Sequence, residues 1–246
     1  MKKNLLALAF LVGLLTCCKS EDAPIKPVKP TDPGSINKEY MSRAETTFAN
    51  IFKYYWSDKV RMMFGSYPNT LGTPQEPSSP DYDSHAYLWG LGSVVSAFNA
   101  IVQNTDNVDF RMTYESRLKE TLLKYYNTTK EPMCFGCFVN PHDQRLYDDA
   151  IWVGIDLADL YSKTKDSWYL DYAKSVWNFV LSGKDDELGG GVYWDENAKD
   201  SKNTCSNAPA VVLALKLYQI TNDAAYLENG KDIYKWTKSK LQDPSD

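Results

Sequence analysis

The sequence predicts an all-α protein in which stacked helical hairpins build an α/α toroid. Exposed and buried helical segments alternate along the chain, an internal repeat pairs one of each kind, and strand signals are scarce. Residues 191–194 are the best short strand candidate. In a toroid the buried helices form an inner wall around a pit, and the loops that precede them line its mouth.

Four segments have the spacing of amphipathic surface helices. In residues 108–126, large apolar side chains recur at steps of three or four, and charged residues fill the opposite face. This spacing gathers the apolar side chains on the one helix face that packs on a core. The same character extends over residues 37–56, 167–182 and 223–241.

The segments between these four are apolar on nearly all sides. Residues 150–161 contain only two charged side chains, and residues 208–218 contain only one. Residues 86–102 are similarly apolar or small. A helix that is apolar all round belongs in a protein interior, so these segments are predicted to be the inner helices.

An internal repeat joins a buried helix to the exposed helix that follows it. Residues 160–174 recur as residues 217–231, with a Leu-Tyr pair, a threonine and an aspartate at matching positions. The aspartates, Asp166 and Asp223, are predicted helix N-caps. Thr105-Asp106 is a weaker third copy, so each unit is a buried helix, a tight turn and an amphipathic helix.

The N-terminus predicts export and lipid anchoring. Residues 1–17 have two lysines followed by an apolar run, and this run is shorter than the ~20 residues that span a bilayer. The segment resembles a bacterial lipoprotein signal, in which a cysteine carries lipid after cleavage. Cys18 fits this position slightly better than Cys17, and an ordinary signal peptide with two incidental cysteines is the alternative.

Residues 18–36 are predicted to be a lipid-anchored tether, because prolines and charges alternate there. The acidic residues just after the cysteines resemble a signal that sends some Gram-negative lipoproteins to the outer surface. We therefore expect a surface-exposed outer-membrane lipoprotein whose residues 37–246 form the toroid domain.

Composition excludes several classes of function. Hydrophobic residues make up 43% of the chain and charged residues 24%, which excludes global disorder. The formal charge of −5 falls to −7 once the two signal lysines are removed, which argues against a nucleic-acid partner. With only two histidines, a multi-histidine metal site is not expected.

Two adjacent carboxylates, Asp148 and Asp149, stand where the second inner helix begins, and Trp152 follows them. One carboxylate could be the N-cap of that helix. Adjacent carboxylates also repel, so one pKa rises while the other group stays ionised near the positive helix end. That division supplies an acid and a nucleophile for glycoside cleavage if the carboxyl groups lie about 5–5.5 Å apart. The residues alone leave capping and catalysis both open.

The loop before the third inner helix combines glycines, a tryptophan and polar side chains. Residues 189–191 are all glycine, but they lack the spacing and the Lys-Ser/Thr pair of a phosphate loop. Trp194 offers an apolar plate, and Asp195, Lys202 and Asn207 offer hydrogen-bonding groups that suit a sugar ring. A glycine-rich turn with a packed tryptophan is the alternative.

Three motifs in this order resemble glycoside hydrolase family 76. They are Tyr147-Asp148-Asp149-Ala-Ile-Trp152, Gly-Gly-Gly-Val-Tyr-Trp194-Asp195 and Lys202-Asn203 with Asn207-Ala-Pro209. The resemblance implies an (α/α)6 barrel and endo-acting, retaining cleavage of α-1,6-mannosidic bonds in mannan, without metal or cofactor. It also implies that Asp148 is the nucleophile and Asp149 the acid/base. Residues expected to contact the sugar are Trp89, Trp152, Trp194, Asp195 and Asn207.

The chain departs from that family in its number of helices. About seven helices are predicted, whereas a six-hairpin barrel needs twelve. We therefore expect a truncated, open arc with exposed apolar flanks and impaired folding or activity. A non-catalytic surface glycan-binding lipoprotein, or an inactive family member, remains the alternative to a mannanase.

The remaining cysteines and histidines carry weaker signals. Cys134 and Cys137 have C-x-x-C spacing, but no second pair and no βαβ pattern accompany them, so zinc or redox chemistry is not expected. A local disulfide and two free thiols both remain open, and Cys205 has no evident partner. His85 stands at the mouth of the first inner helix, where it could contact substrate or serve the fold.

Overall fold

The protein is described from a computed structural model, which describes residues 33–68, 85–139, 144–243 and 245. The predicted signal peptide, Cys18 and most of the tether lie outside these residues. The chain divides after Glu39, and Tyr40–Asp246 forms a compact helical unit that contains the predicted motifs.

Seven α-helices lie within the described residues, and their bounds follow the predicted segments closely. They are α1 Pro33–Tyr55, α2 Leu88–Asn104, α3 Val108–Tyr125, α4 Tyr147–Thr164, α5 Ser167–Ser182, α6 Thr204–Thr221 and α7 Ala224–Leu241. Two antiparallel hairpins of two-residue strands complete the regular structure. They pair β1 Trp56–Ser57 with β2 Met62–Met63 and β3 Tyr126–Asn127 with β4 Cys134–Phe135.

The helices form an inner row and an outer row. In the inner row α2 packs against α4 and α4 packs against α6, while α5 packs on α4 and α7 packs on α6. Small residues allow this close approach: a Cβ added to Gly154 would lie 2.9 Å from Val176 and 3.1 Å from Leu213. The predicted all-α toroid architecture is confirmed.

Aromatic side chains pack α1 against the helical hairpin formed by α2 and α3. The ring of Phe48 lies 6.0 Å from Phe98 on α2, 5.4 Å from Phe110 on α3 and 5.1 Å from Tyr114 on α3. Edge-to-face and tilted ring pairs of this kind add to the burial of apolar surface. The predicted amphipathic face of residues 37–56 is therefore buried between α2 and α3.

The repeated turns share one hydrogen-bonding pattern. Asp166 accepts a hydrogen bond from the Trp168 N–H at 3.0 Å, and Asp223 accepts one from the Ala225 N–H at 2.9 Å, which confirms both predicted caps. In the third copy the cap is Asn107, at 3.0 Å from the Phe110 N–H, and not Asp106. The repeat is therefore real, and in its third copy Asn107 occupies the cap position that Asp166 and Asp223 occupy in the other two.

Polar side chains also join the inner helices to one another. Asn99 on α2 donates to Asp156 on α4 at 2.8 Å, and Lys216 on α6 pairs with Asp159 on α4. Burial raises the pKa of Asp156, and hydrogen bonds from Ser96 and Asn99 oppose that rise. The few polar residues of the apolar helices therefore fix the register of the inner row.

Among the described residues, no helix is both long and apolar enough to cross a bilayer. Residues 191–194, the best strand candidate in the sequence, do not form a strand of a sheet. Val192 makes an isolated β-bridge to Lys184, and Asp195 makes one to Leu146. The second bridge places the glycine-rich loop against the start of α4.

Candidate active site

Asp148 and Asp149 lie inside the first turn of α4, because the helix begins at Tyr147 and not at residue 150. The N-cap is Leu146, whose side chain makes no cap hydrogen bond. Neither carboxylate therefore serves as the N-cap. Both lie where the free N–H groups of the helix create a positive potential, which favours a negative charge.

Asp149 is a partly buried carboxyl group. Burial and the neighbouring charge of Asp148 together raise the pKa of Asp149 from 3.8 to about 6. A carboxyl group with a pKa near 6 can donate a proton and later accept one at near-neutral pH. Asp149 therefore has the environment of a general acid/base.

Asp148 is partly exposed and is held by several donors. Its Oδ2 accepts a hydrogen bond from Nε1 of Trp194 at 3.2 Å, and its Oδ1 accepts one from the Asp149 N–H at 3.1 Å. Burial and the nearby charge of Asp148 raise the pKa of the Cys205 thiol in the first turn of α6. The glycine-rich loop and α4 therefore hold the Asp148 carboxylate, which stays partly exposed.

The three tryptophans predicted to contact sugar are all exposed. The exposed fractions are 56% for Trp89, 43% for Trp152 and 37% for Trp194. Trp89 lies in the first turn of α2, Trp152 lies in the second turn of α4, and Trp194 lies in the loop before α6. Trp194 contacts Asp148 and Trp152 lies one helical turn after the two carboxylates, so these two exposed aromatic faces form a surface suited to the apolar face of a sugar ring.

Asp195 lies beside the carboxylate pair through its main chain. It bridges Leu146 at the start of α4, and its Oδ1 accepts a hydrogen bond from the Asn197 N–H at 2.8 Å. Its Oδ2 lies 3.5 Å from Nε2 of Gln144, at the limit of a hydrogen bond. One carboxylate oxygen is thus only weakly engaged, and the sugar contact of Asp195 stays a prediction.

The predicted sugar contact of Asn207 is wrong, because its side chain is fully buried. Its amide accepts from the Val192 N–H at 2.7 Å and donates to the carbonyls of Val192 and Asn203, both at 2.8 Å. These bonds use the amide to hold the glycine-rich loop against the start of α6. Asn207 therefore shapes the site without touching its surface.

Lys202 is also buried, so it is likewise unavailable to a sugar. Its Nζ donates to the Asp185 carboxylate at 2.7 Å and to the carbonyls of Glu187 and Gly190 at 2.7 and 2.8 Å. The ammonium group thereby satisfies carbonyls that the tight turn leaves unpaired. The polar residues of this motif hold the loop, and Trp194 and Asp195 are what the loop presents.

The glycines of this loop are required by backbone conformation and by packing. Gly191 has a φ of +76°, and a Cβ there would lie 2.5 Å from the ring of Trp236 on α7. The same tryptophan donates from Nε1 to the Leu188 carbonyl at 3.0 Å. The outer helix α7 therefore supports the loop that carries Trp194.

A buried ion pair behind the site was not predicted from the sequence. Arg145 is fully buried and pairs with Glu196 through two nitrogens, and its Nη1 donates to the Pro132 carbonyl at 2.7 Å. Burial opposes ionisation of Glu196, but hydrogen bonds from Arg145 and Lys130 hold its pKa below the ordinary value. In the sequence, the only indication of this ion pair is that Arg145 lies just before one motif and Glu196 just after another, 51 residues away.

A cavity of about 720 Å³ adjoins Trp89 at the start of α2. His85 lines it, and burial together with the charge of Lys124 lowers the pKa of this histidine. The rest of the lining is mainly apolar and includes Tyr55, Met63 and Leu91. Whether His85 contacts a substrate stays a prediction.

Within the described parts of the chain, no three histidine, cysteine, aspartate or glutamate side chains are grouped closely enough to hold a metal ion. The chemistry that this site offers comes from two carboxyl groups in different environments. Two carboxyl groups beside exposed aromatic side chains are typical of the active sites of glycoside hydrolases.

Comparison with solved structures agrees with this interpretation. A family 76 glycoside hydrolase from a bovine Bacteroides thetaiotaomicron strain is 31% identical, with a TM-score of 0.73. The match covers 84% of this chain and 43% of that one. A family 76 mannosidase from B. thetaiotaomicron VPI-5482 is 26% identical, with a TM-score of 0.72 over 85% of this chain and 56% of that one.

A third similar structure contains a ligand. It is an inactive variant of an α-1,6-mannanase from Salegentibacter sp. HEL1_6, with two consecutive aspartates replaced by asparagine, in complex with α-1,6-mannotriose. It is 24% identical, with a TM-score of 0.62 over 85% of this chain and 53% of that one. The present chain thus spans about half the length of these solved chains.

No curated protein sequence matches the chain. The family model of glycosyl hydrolase family 76 matches residues 39–246, which include the whole helical unit and all three motifs. The chain therefore belongs to glycoside hydrolase family 76.

Proposed function

We propose that this protein is an endo-acting, retaining hydrolase of α-1,6-mannosidic bonds in the backbone of mannan. The observation that carries the proposal is the pair Asp148 and Asp149 in the first turn of α4, of which Asp149 has a pKa raised to about 6. Family membership supports the hydrolase class, and the α-1,6-mannanase from Salegentibacter supports the linkage.

The proposed reaction has two steps. In the first, a carboxylate oxygen of Asp148 attacks the anomeric carbon while Asp149 donates its proton to the leaving glycosidic oxygen. In the second, ionised Asp149 takes a proton from water, and that water displaces Asp148 from the sugar. Trp89, Trp152 and Trp194 stack against sugar rings, and Asp195 binds a hydroxyl group.

The first experiment is the release of oligosaccharides from debranched α-1,6-mannan by the purified chain. Asp148→Asn, which keeps the shape of the side chain, is the matched control. Products from the wild-type chain alone support the proposal, and the anomeric configuration of the first product, read by NMR, distinguishes retention from inversion. A folded wild-type chain that binds mannan without cleaving it would instead favour the glycan-binding alternative.

Exogenous azide separates the roles of the two carboxyl groups. With a dinitrophenyl α-1,6-mannobioside, Asp149→Ala should be rescued by azide and yield an α-mannosyl azide, because the glycosyl-enzyme still forms. Asp148→Gly should instead yield the β-mannosyl azide by direct displacement. The reverse pattern would exchange the two assignments.

We further propose that Cys18 carries lipid and anchors the protein in the outer membrane, facing outward. The basic and apolar N-terminal sequence that ends at two cysteines supports this. Cys18→Ala should release the protein from the membrane fraction, whereas Cys17→Ala, the matched control, should not. Release by Cys17→Ala alone would move the anchor to that residue.

A further inference from the structure

Residues 145–147, at the start of α4, are paired antiparallel with residues 194–196 in the loop before α6. The contacts are two main-chain hydrogen bonds and one isolated β-bridge, which join Arg145 to Glu196, Tyr147 to Trp194, and Leu146 to Asp195. Just past this pairing, Nε1 of Trp194 donates to Oδ2 of Asp148 at 3.2 Å. The paired segments therefore begin at an arginine and a glutamate and end at the proposed nucleophile.

The side chains of Arg145 and Glu196 also bind each other at the far end of this pairing. Nε of Arg145 donates to Oε2 of Glu196 at 2.8 Å, and Nη2 donates to Oε1. Two parallel hydrogen bonds of this kind fix the plane of a guanidinium group against a carboxylate. Lys130 forms a second ion pair with the same carboxylate at 3.1 Å. The side chains therefore reinforce the 3.2 Å hydrogen bond from the Glu196 N–H to the Arg145 carbonyl.

Arg145 is itself held by α5 and by a neighbouring loop. Its side chain is fully buried, and its guanidinium group lies 4.8 Å from the ring centroid of Phe179 on α5. The ring of Tyr147 stacks on the same phenylalanine at 4.3 Å. Nη1 of Arg145 also donates to the carbonyls of Lys130 and Pro132, at 3.2 and 2.7 Å. Movement of the arginine would leave buried polar groups unpaired, so it is a fixed point to which the loop before α6 is tied.

We propose that Arg145 and Glu196 are positioning residues for the cleavage reaction, because their ion pair holds the Trp194 indole on the Asp148 carboxylate. This inference rests on the proposed function, in which Asp148 is the nucleophile. Arg145 is fully buried and the Glu196 side chain is 11% exposed, so the pair acts through Trp194 and not on the sugar. Displacement of a reacting group by about 1 Å can lower a reaction rate roughly 100-fold, so a fixed carboxylate matters for the rate.

Other side chains hold this loop less firmly or at another place. Asn207 and Lys202 bind the first part of the loop. A contact between Gln144 and Asp195 lies closer to the ion pair, but it is exposed and 3.5 Å long. The buried ion pair is therefore the stronger connection at this end of the loop. Its loss should loosen Trp194 while the first part of the loop keeps its own hydrogen bonds.

The test is the indole N–H signal of Trp194 in the nitrogen-15-labelled full chain, assigned by its loss in Trp194→Phe. Glu196→Gln keeps the shape of the side chain but removes the charge that binds the guanidinium group. We expect the Trp194 signal to move upfield and its hydrogen exchange to become faster, because the bond to Asp148 weakens. On a mannooligosaccharide, kcat should fall about tenfold with KM unchanged, since no contact with bound substrate is lost.

Glu120→Gln is the control of the same chemistry, because Glu120 on α3 accepts a hydrogen bond from Arg61 at 2.7 Å. It should leave the Trp194 signal and kcat unchanged. A second control places Glu196→Gln in the Trp194→Phe background. There it should cause little additional loss of activity, because the donor that the ion pair positions is already absent.

An unchanged Trp194 signal in folded Glu196→Gln overturns the inference, even if the chain cleaves mannan and the proposed function stands. An equal further loss of activity in the Trp194→Phe background also overturns it. An inactive wild-type chain overturns the proposed function, while the NMR signal still decides whether the ion pair holds Trp194 on Asp148. If Glu196→Gln fails to fold, Lys130→Gln decides, since it removes the other partner of this carboxylate: an upfield shift supports the inference and an unchanged signal overturns it.

Discussion

The indole Nε1 of Trp194 lies 3.2 Å from Oδ2 of Asp148, so an exposed aromatic ring also holds a carboxylate of the proposed catalytic pair. The main chains of the same two segments are also hydrogen-bonded, because the Trp194 carbonyl accepts a hydrogen bond from the Tyr147 N–H at 3.0 Å. The glycine-rich loop and the first turn of α4 are therefore joined at two points. Displacement of that loop should displace the carboxylate.

The side-chain part of this connection can be removed alone. Trp194→Phe keeps an aromatic plate but loses the donor to Asp148. A hydrogen bond to a charged group contributes about 1.5–3 kcal/mol, so we expect kcat/KM on α-1,6-mannooligosaccharides to fall roughly 10- to 100-fold.

The Asp148→Asn background tests whether the two residues act together. There, Trp194→Phe should cause little additional loss of residual activity, because the charged acceptor is already gone. If the two substitutions instead reduce activity independently, Trp194 does not act through its hydrogen bond to Asp148.

Asp149 should reduce the stability of the protein at neutral pH. Its folded pKa of about 6 lies above the ordinary 3.8, so the folded state resists ionisation of this group. The resulting cost is absent below about pH 3.8, grows as the pH rises to about 6, and is constant above that value. Asp149→Asn should therefore raise the free energy of unfolding at pH 7.5 by about 1–2 kcal/mol, allowing for solvent screening.

Thermal melts at two pH values check this prediction. Asp149→Asn should melt a few degrees above wild type at pH 7.5 and close to it near pH 4, while losing hydrolytic activity. An equal shift at both pH values would mean that ionisation of Asp149 is not the cause.

The glycine-rich loop offers a second test of stability and function together. Gly191→Ala should destabilise the protein, because the position has positive φ and the new Cβ would meet the Trp236 ring at 2.5 Å. Gly90→Ala is the matched control, since its Cβ would lie 3.8 Å from Ala86 in an ordinary helix. We expect a lower melting temperature and weaker mannan cleavage for Gly191→Ala only.

The sequence was sufficient to predict the helices and their alternation, because hydrophobic periodicity directly reflects which faces are buried. It misplaced the start of α4 by three residues, since Tyr147 begins the helix without a capping side chain. That difference matters, because it moves Asp148 and Asp149 from the predicted helix start, where one of them could be the N-cap, into the first helical turn. Boundary prediction failed where no cap residue marked the boundary.

The roles of polar residues in the loop motifs were harder to predict. Asn207 lies in the first turn of α6 and Trp194 in the loop before it, yet Asn207 is fully buried and Trp194 is 37% exposed. The direction of each side chain depends on contacts with Val192 and Asp148, which are distant in sequence. Composition indicated a sugar site, but only the packed loop distinguishes residues that hold it from residues that face it.

The buried pair of Arg145 and Glu196 should be among the strongest local contributions to stability. Arg145 is fully buried and also donates to the carbonyls of Pro132 and Lys130, so it joins three loops behind the proposed catalytic pair. Arg145→Met removes the arginine from these carbonyls and from Glu196, which keeps Lys130 as a partner, and we expect a loss of about 3–5 kcal/mol in the free energy of unfolding.

The double variant Arg145→Met/Glu196→Leu should recover part of that loss, because it no longer leaves a carboxylate without its arginine. The pH dependence provides an independent check. Glu196 has a depressed pKa in the folded state, so its stabilising effect is full above its ordinary value near 4.5 and is lost as the pH falls through the folded value. Denaturant unfolding between pH 3 and pH 7 should show this acid-sensitive contribution in wild type but not in Glu196→Gln. If the two proteins lose stability in parallel on acidification, the pair is not the source of the acid sensitivity.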